Sequence, residues 1–327
     1  MKQLIESFPR QIQEALEIAD NATFIKSDTR IENVVICGLG GSGIGAKIVA
    51  NWVQSEMKLP VILVNDYTLP AFASKTTLVI ASSYSGNTEE TLMAVETAHQ
   101  NGCFIFGITS GGTLKTFCDD NGYDCVIVPG GNPPRSAVAY SLVQLVNYFV
   151  KMEFVSIDLM NQIKLSISLI NEHEAYIHEQ AQLMAKFLYG KVGVMYGETK
   201  YEGVIVRAKQ QFNENAKFLL WHNVIPEMNH NELVGWGGGD ERFATVFFNA
   251  PDLHPRNARR MEITKETIEK KCGALFNLYP KGESLVERSI YYIHLVDWAS
   301  YYLCELNQVD IMDIKIIDYL KDELAKI

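Results

Sequence analysis

Residues 82–91, SSYSGNTEET, concentrate hydroxyl side chains directly after the apolar run 78–82. The apolar run predicts a buried strand, and the pattern that follows the hydroxyls predicts a helix. A helix start has unpaired N–H groups and the positive end of the helix dipole, so it favours bound anions. Ser83, Ser85 and Thr88, spaced S-x-S-G-x-T, supply hydroxyls that suit the three oxygens of a terminal phosphate.

The same residues allow a purely structural interpretation. Ser85 or Asn87 would cap the helix, and the remaining residues would form an ordinary polar turn. The motif taken alone leaves both interpretations open.

A second turn of small residues, GLGGSGIG at 38–45, follows the short apolar strand pattern 33–37, and a helix is predicted from Ala46. Ligands of parallel sheets sit at the carboxyl ends of the strands. We therefore expect Gly40–Ser42 to lie beside Ser83–Thr88 and to share one phosphate with it.

The glycine turn also contains a literal G-x-G-x-x-G at Gly38, Gly40 and Gly43, which is typical of dinucleotide sites. Asp66 lies at the end of the next strand, roughly where a ribose-binding acid would stand. A dinucleotide would leave the S-x-S-G-x-T turn unexplained, whereas one phosphate held by two turns accounts for both motifs. An oxidoreductase stays as an alternative.

The second half of the chain has its own polar concentration, between Gln210 and Trp236. Glu214 falls within a helical pattern, and His230 falls within a predicted loop. A surface helix and an exposed loop explain both residues without any function.

Metal and nucleophile signatures are weak. His222 and His230 do not have H-x-x-x-H spacing, and His173 and His178 are five apart, so they do not share a helix face. No G-x-S-x-G elbow is present. We expect no metal and no cofactor.

Strands alternate with helices in the first half, which predicts an α/β fold with a parallel sheet covered on both faces. Arg135 begins a predicted helix, 135–151, at a fixed point after the fifth strand. The strands of this half are predicted at 33–37, 61–66, 78–82, 103–110 and 124–131.

An amphipathic helix, 157–189, is predicted to connect this half to a second copy of the architecture, without the glycine cluster. Residues 221–240 are predicted to be irregular. The second copy has predicted strands at 191–198, 244–250 and 274–280 and helices at 200–218, 256–271 and 283–306. The predicted domains are 1–152 and 153–327.

Composition narrows the class of protein. The chain has 327 residues, of which 47% are apolar, and its formal net charge of −10 argues against a nucleic-acid-binding face. Six cysteines without a C-x-x-C pair indicate reduced core residues. The amphipathic N-terminus lacks the apolar region of a signal peptide, and no apolar run is long enough to span a membrane, so we expect a cytoplasmic protein.

Six segments together resemble the bifunctional phosphoglucose/phosphomannose isomerase family of archaea and bacteria, and the resemblance covers nearly the whole chain. They are GLGGSGIG (38–45), SSYSGNTEET (82–91), PPR (133–135), NENAK (213–217), PEMNHNE (226–232) and IDYLK (317–321). The resemblance implies two sugar-isomerase (SIS) domains, each a doubly wound, flavodoxin-like αβα sandwich.

The resemblance also implies roles for individual residues. The sugar phosphate would be held by Gly40, Gly41, Ser42, Ser83, Ser85 and Thr88. Glu214 would move a proton between C1 and C2, and Arg135 would stabilise the enediolate. His230 would assist ring opening, from the other subunit of a homodimer, and Lys321 would reach the same site.

One segment departs from the family pattern. Residues 309–313, VDIMD, replace a Pro/Thr-containing run before the C-terminal helix, which leaves the use of the mannose epimer open. A non-catalytic sugar-phosphate sensor and an isomerase of another phosphosugar also stay open. The absence of a basic helix-turn-helix pattern argues against a transcriptional sensor.

Overall fold

The computed structural model describes residues 1–26, 29–324 and 326. They form two compact units, each with its own parallel sheet. The first-sheet unit comprises Glu6–Glu172 and Lys281–Ile290, and the second-sheet unit comprises Met1–Ile5, His173–Pro280 and Tyr291–Ile327. The domain boundary between residues 152 and 153 stays a prediction.

The first twelve elements end with a long helix. In chain order they are α1 (Lys2–Glu6), α2 (Phe8–Asn21), β1 (Asn33–Cys37), α3 (Gly40–Val53), β2 (Val61–Val64), β3 (Thr77–Ser82), α4 (Glu89–Gln100), β4 (Phe104–Thr109), α5 (Gly112–Asn121), β5 (Asp124–Ile127), α6 (Val138–Lys151) and α7 (Asp158–Leu188).

The remaining elements are β6 (Val192–Glu198), α8 (Glu202–Ala216), β7 (Leu220–Ile225), α9 (Glu232–Gly235), β8 (Phe243–Phe248), α10 (Pro255–Cys272), β9 (Leu275–Leu278), α11 (Leu285–Asn307) and α12 (Lys315–Leu324). Short 3₁₀ turns stand at Pro134–Ser136, Thr199–Tyr201, Glu227–His230 and Trp236–Gly238.

The first sheet is parallel throughout, with the strand order β2-β1-β3-β4-β5. Its central strand β3 is buried at every residue, as its continuous apolar run predicts. The strand order reverses between β1 and β3, and ligands of doubly wound sheets bind at such a reversal. The predicted α/β class is confirmed, and the two turns that follow β1 and β3 flank this point.

The second sheet, β7-β6-β8-β9, is also parallel and repeats this order for four strands. The prediction that residues 221–240 are irregular is wrong for the first part, because β7 pairs with β6 over its full length. The sequence did not indicate this strand because polar residues interrupt its apolar pattern. β7 lies at the sheet edge, where Trp221 is exposed and His222 and Asn223 are half-buried.

The helix predicted to begin at Ala46 begins earlier, at Gly40. Most of the glycine turn is therefore the first part of α3, where close packing explains the small residues. A Cβ atom on Gly45 would lie 2.2 Å from Ser141 Oγ, and one on Gly41 would lie 2.6 Å from the carbonyl oxygen of Pro134.

Arg135 lies in a separate 3₁₀ turn, Pro134–Ser136, and α6 begins only at Val138. The prediction that Arg135 starts the helix is therefore wrong by three residues. The N–H groups of Ser136 and Ala137 donate to the carbonyls three residues back, of Pro133 and Pro134, so 3₁₀ bonds close this turn.

Buried helix α6 packs against α2 and α3 in the first-sheet unit. Two of its amide side chains donate to backbone groups: Gln144 donates to the Ala15 carbonyl at 2.7 Å, and Asn147 donates to that of Ala19 at 3.2 Å. The six cysteines are free thiols. No helix among the described residues is both long and apolar enough to cross a membrane.

Candidate active site

The turns after β1 and β3 meet at the reversal point of the first sheet. The backbone N–H of Tyr84 donates to Ser42 Oγ at 3.0 Å. A Cβ atom on Gly38 would lie only 2.7 Å from the Ser82 carbonyl oxygen, so a side chain there would push the two turns apart. The structure thus brings Gly40–Ser42 beside residues 83–88, which we call the hydroxyl turn, as the strand pattern predicts.

Within the hydroxyl turn, Ser83 Oγ and Thr88 Oγ1 share a hydrogen bond of 2.8 Å. Ser83 is buried, whereas Ser85 is exposed and its hydroxyl accepts from the Asn87 N–H at 3.2 Å. No side chain caps the N-terminus of α4. The interpretation of Ser85 or Asn87 as a helix cap is therefore wrong.

The side chain of Asn87 binds α5 instead of capping α4. Its Oδ1 accepts from both the N–H and the hydroxyl of Thr113, at 3.0 Å each, on the first turn of α5. Gly86 packs so closely that a Cβ atom would lie 1.8 Å from the Gly111 carbonyl oxygen, and its φ of +71° favours glycine. The hydroxyl turn is therefore held in place by its contacts with the first turn of α5 and the residue before it.

The starts of α3 and α4 supply backbone donors to this edge. Neither helix has a side-chain cap, so N–H groups at both helix starts remain available to an anion. Glu89 and Glu90 stand in the first turn of α4 and also interact favourably with its dipole. The hydroxyl and N–H donors here match what a phosphate group accepts.

Arg135 is buried, with 6% of its surface exposed. The backbone of the residue before it, Pro134, packs against Gly41 of the glycine turn. The structure therefore connects the Arg135 turn to the same edge of the sheet as the hydroxyls.

Tyr84 was missed by the sequence analysis, although it stands between Ser83 and Ser85. Its phenol donates to the Pro129 carbonyl at 2.8 Å and accepts from the Asn132 N–H at 3.3 Å, so it ties the segment before Arg135 to the hydroxyl turn. Burial raises the pKa of this phenol, which keeps it protonated as a donor. The available signal was an aromatic residue within an otherwise small and polar turn.

In the second-sheet unit, Glu214 lies half-buried in the last turn of α8. Its neighbours hold that turn in place: Asn213 Oδ1 accepts from the Leu220 N–H at 3.2 Å, and the buried Asn215 donates to Ser300 Oγ at 2.9 Å. The asparagines of NENAK therefore fix the backbone on either side of the carboxylate.

Lys217 ends α8 in the left-handed conformation, with φ of +50°. Its ammonium donates to the carbonyl of Glu214 at 2.8 Å and to that of Asp310 at 2.6 Å. The segment 309–313, which departs from the family pattern, is thereby connected directly to the turn that carries Glu214.

His230 ends the 3₁₀ turn Glu227–His230 and is exposed. Lys321 is exposed on α12, a helix without buried residues. Across the described part of the chain, the side chains of His230 and Lys321 form no hydrogen bond or ion pair with another residue. The structure therefore does not join either side chain to Glu214.

Cavity size does not mark this site. A cavity of about 700 Å³ lies between α2 and β5 and is lined by no residue of the two turns. The described residues contain no group of three or more His, Cys, Asp or Glu side chains that could hold a metal ion. Asp66, the candidate ribose ligand, accepts a hydrogen bond from the N–H of its neighbour Tyr67.

Comparisons with known proteins agree with this architecture. Residues 177–324 match the family model described as the bacterial phospho-glucose isomerase C-terminal SIS domain. The fold is similar to that of tagatose-6-phosphate ketose/aldose isomerase from Escherichia coli, with a TM-score of 0.73 and 15% identity, covering 96% of each chain.

Sequence relatives cover the chain almost completely. It is 34% identical to a D-glucosamine-6-phosphate 4-epimerase from Sulfolobus acidocaldarius, over 89% of each sequence. It is 39% identical to a bifunctional phosphoglucose/phosphomannose isomerase from Caldicellulosiruptor bescii, over 100% of this chain and 99% of that protein. By this full-length likeness, the chain belongs to the bifunctional phosphoglucose/phosphomannose isomerase family.

Proposed function

We propose that this protein interconverts glucose 6-phosphate, and also mannose 6-phosphate, with fructose 6-phosphate. The observation that carries the proposal is the meeting of two uncapped helix starts and a hydroxyl turn at the reversal point of the first sheet. This arrangement suits the phosphate that all three sugars share.

The phosphate anchors the substrate. Gly40, Gly41 and Ser42 bind it from one turn, and Ser83, Ser85 and Thr88 bind it from the other. The phosphate is far from C1 and C2, so its binding energy positions the reacting carbons rather than changing them.

Glu214 is the base of the reaction. It removes the C2 proton of the open-chain aldose, whose electron pair forms the enediolate, and it returns the proton to C1. The O2 hydroxyl proton passes to O1, which gives the ketose. The fixed backbone around Glu214 favours this role, because a general base must reach both carbons from one position. Arg135 stabilises the negative charge that develops on the enediolate oxygens.

His230 transfers a proton during opening of the sugar ring, and Lys321 contacts the substrate in the same site. We propose that the protein is a cytoplasmic homodimer in which His230 is contributed by the second subunit. An exposed imidazole that has no hydrogen bond or ion pair with the residues the structure describes is consistent with this role.

The first experiment incubates the purified protein separately with glucose 6-phosphate and mannose 6-phosphate and follows fructose 6-phosphate. We expect turnover of both sugars and a loss of at least about 100-fold in Glu214→Gln, which is typical of general acid–base catalysis. Glu202→Gln removes a carboxylate from the other end of α8 and is the matched control. Full activity in Glu214→Gln would refute the mechanism.

Subunit sharing has its own test. Glu214→Gln and His230→Ala are mixed under conditions that exchange subunits. A shared site predicts recovered activity, because one site of each mixed dimer then has both wild-type residues. No recovery, with exchange verified, would place both residues on one subunit.

A second candidate is epimerisation at C4, since one relative with 34% identity is a D-glucosamine-6-phosphate 4-epimerase. The discriminating measurement is the product formed from glucosamine 6-phosphate. A C4 epimer, without fructose 6-phosphate from either hexose phosphate, would replace our proposal. Tight phosphosugar binding without any turnover would instead indicate a sensor.

A further inference from the structure

Glu232 is held at both of its carboxylate oxygens by neighbouring strands of the second sheet. Tyr196 on β6 and Asn223 on β7 are direct partners in the sheet register, so their side chains leave the same face. The Tyr196 phenol donates to Oε1, and Asn223 donates to Oε2 at 2.6 Å. Hydrogen bonds to an ionised group are about twice as strong as neutral ones.

Tyr196 is itself fixed in this position. The indole N–H of Trp236 donates to the phenol oxygen at 3.0 Å. Burial, followed by the neighbouring Glu232 carboxylate, raises the pKa of Tyr196, so the phenol remains a donor. The Glu232 carboxylate therefore accepts a hydrogen bond from a buried phenol whose position is fixed.

The residues before His230 are anchored separately. Met228 is completely buried in the core of the second-sheet unit. Asn229 donates to the hydroxyl of the buried Thr264 on α10 at 2.8 Å. His230 thus stands between a fixed segment on one side and Glu232 on the other, while its imidazole faces solvent.

We propose that Glu232 is a positioning residue that fixes the backbone presenting the His230 imidazole to the substrate. The inference rests on the proposed role of His230 in ring opening. Glu232 does not contact the substrate, and its effect passes through the position of His230. A displacement of about 1 Å at a catalytic group can cost about 100-fold in rate.

The test variant is Glu232→Gln, which keeps the shape of the side chain but places an N–H group against one of the two donors. The matched control is Glu227→Gln, whose carboxylate is exposed and accepts from Asn231 in the same segment at 3.1 Å. We expect kcat for glucose 6-phosphate to fall at least about tenfold in Glu232→Gln with KM unchanged, since only proton transfer at His230 is impaired. The control keeps its kcat.

A double-mutant cycle separates positioning from general damage. In a His230→Ala background, Glu232→Gln has no further effect on kcat if Glu232 acts through His230. Multiplied losses would overturn the inference, because they would show an independent role for Glu232.

Hydrogen exchange gives a readout that does not depend on turnover. We expect backbone amides of residues 227–235 to exchange faster in Glu232→Gln, with α10 as an internal reference. Unchanged exchange would overturn the inference. Turnover that is lost in Glu214→Gln but kept in His230→Ala would also overturn it, yet leave the proposed isomerase intact. Absent turnover in the wild type would refute the proposed function and, with it, the role of His230 on which the inference rests, while faster exchange would still show that Glu232 anchors this segment.

Discussion

The hydroxyl oxygens of Ser83 and Thr88 lie 2.8 Å apart and share a hydrogen bond across the turn between β3 and α4. Thr88 stands at the N-cap position of α4, yet its side chain does not cap the helix. The bond instead directs both hydroxyls to the same place. This pairing holds the two hydroxyl groups side by side at the turn, where one of them donates to the other.

Ser83→Ala removes one member of this pair. We expect KM for glucose 6-phosphate to rise about tenfold or more, because a hydrogen bond to a charged group contributes about 1.5–3 kcal/mol. Steady-state kinetics and competition by inorganic phosphate measure the loss. Ser74→Ala, on another turn of the same unit, is the control, and an equal KM in the two variants would contradict the assigned phosphate site.

Gly86→Ala tests how tightly the hydroxyl turn packs on α5. Gly86 and Gly102 have similar backbone conformations, with φ of +71° and +68°, but only Gly86 has a close neighbour. Gly102→Ala therefore isolates the backbone strain, which costs about 1–2 kcal/mol. We expect Gly86→Ala to lower Tm further and to raise KM for the phosphosugar, and equal Tm losses would exclude the steric contact.

Asp297→Ala breaks a buried ion pair that supports α8. Asp297 accepts from Arg207 at 2.6 Å and from Gln211 at 2.8 Å, and all three residues are buried. Removing one partner of a buried pair costs about 3–5 kcal/mol, because the remaining charge loses its compensation. Urea unfolding measures this loss, and Asp240→Ala, which breaks the exposed pair with Arg242, is expected to leave stability nearly unchanged.

The lowered pKa of Glu174 predicts that the stability of the protein depends on pH. Its hydrogen bond to His294, with the charges of His294 and His178, lowers the pKa of this carboxyl below the ordinary 4.5. A lowered folded-state pKa contributes stability above the unfolded-state value, and that contribution is lost as the pH falls through the folded value. We expect the Tm difference between wild type and Glu174→Gln to be full above about pH 5 and to shrink below pH 4.5. A difference that stays constant down to pH 3 would contradict the assignment.

Continuous apolar runs made the first sheet predictable. The run before the hydroxyls became β3, and the alternation with helices required parallel strands, so the approach of the two turns followed from chain order alone. The same logic did not find β7, because an edge strand has one side without a neighbour and tolerates polar side chains such as Asn223.

The candidate site also contains features that the sequence predicts and contacts that it does not predict. The chemical types and spacing of Ser83, Ser85 and Thr88 were sufficient to predict a turn of hydroxyl donors at a helix start, since both are local features. The partner of Asn87 was not predictable, because Thr113 lies 26 residues away and meets it only after the sheet has formed. The local sequence around Asn87 is the same whether its side chain caps a helix or contacts a distant residue.

The α/β class, most strand positions, the positions of the glycine and hydroxyl motifs and the likeness to a two-domain isomerase family could be read from the sequence, because periodicity and spacing are encoded along the chain. Which polar residues hold the fold together became visible only from contacts made in the folded chain. Tyr84 joins two turns at the first sheet, and Glu232 is held by two strands of the second, through contacts between residues distant in sequence. Such contacts depend on strand order and register, which no local pattern specifies.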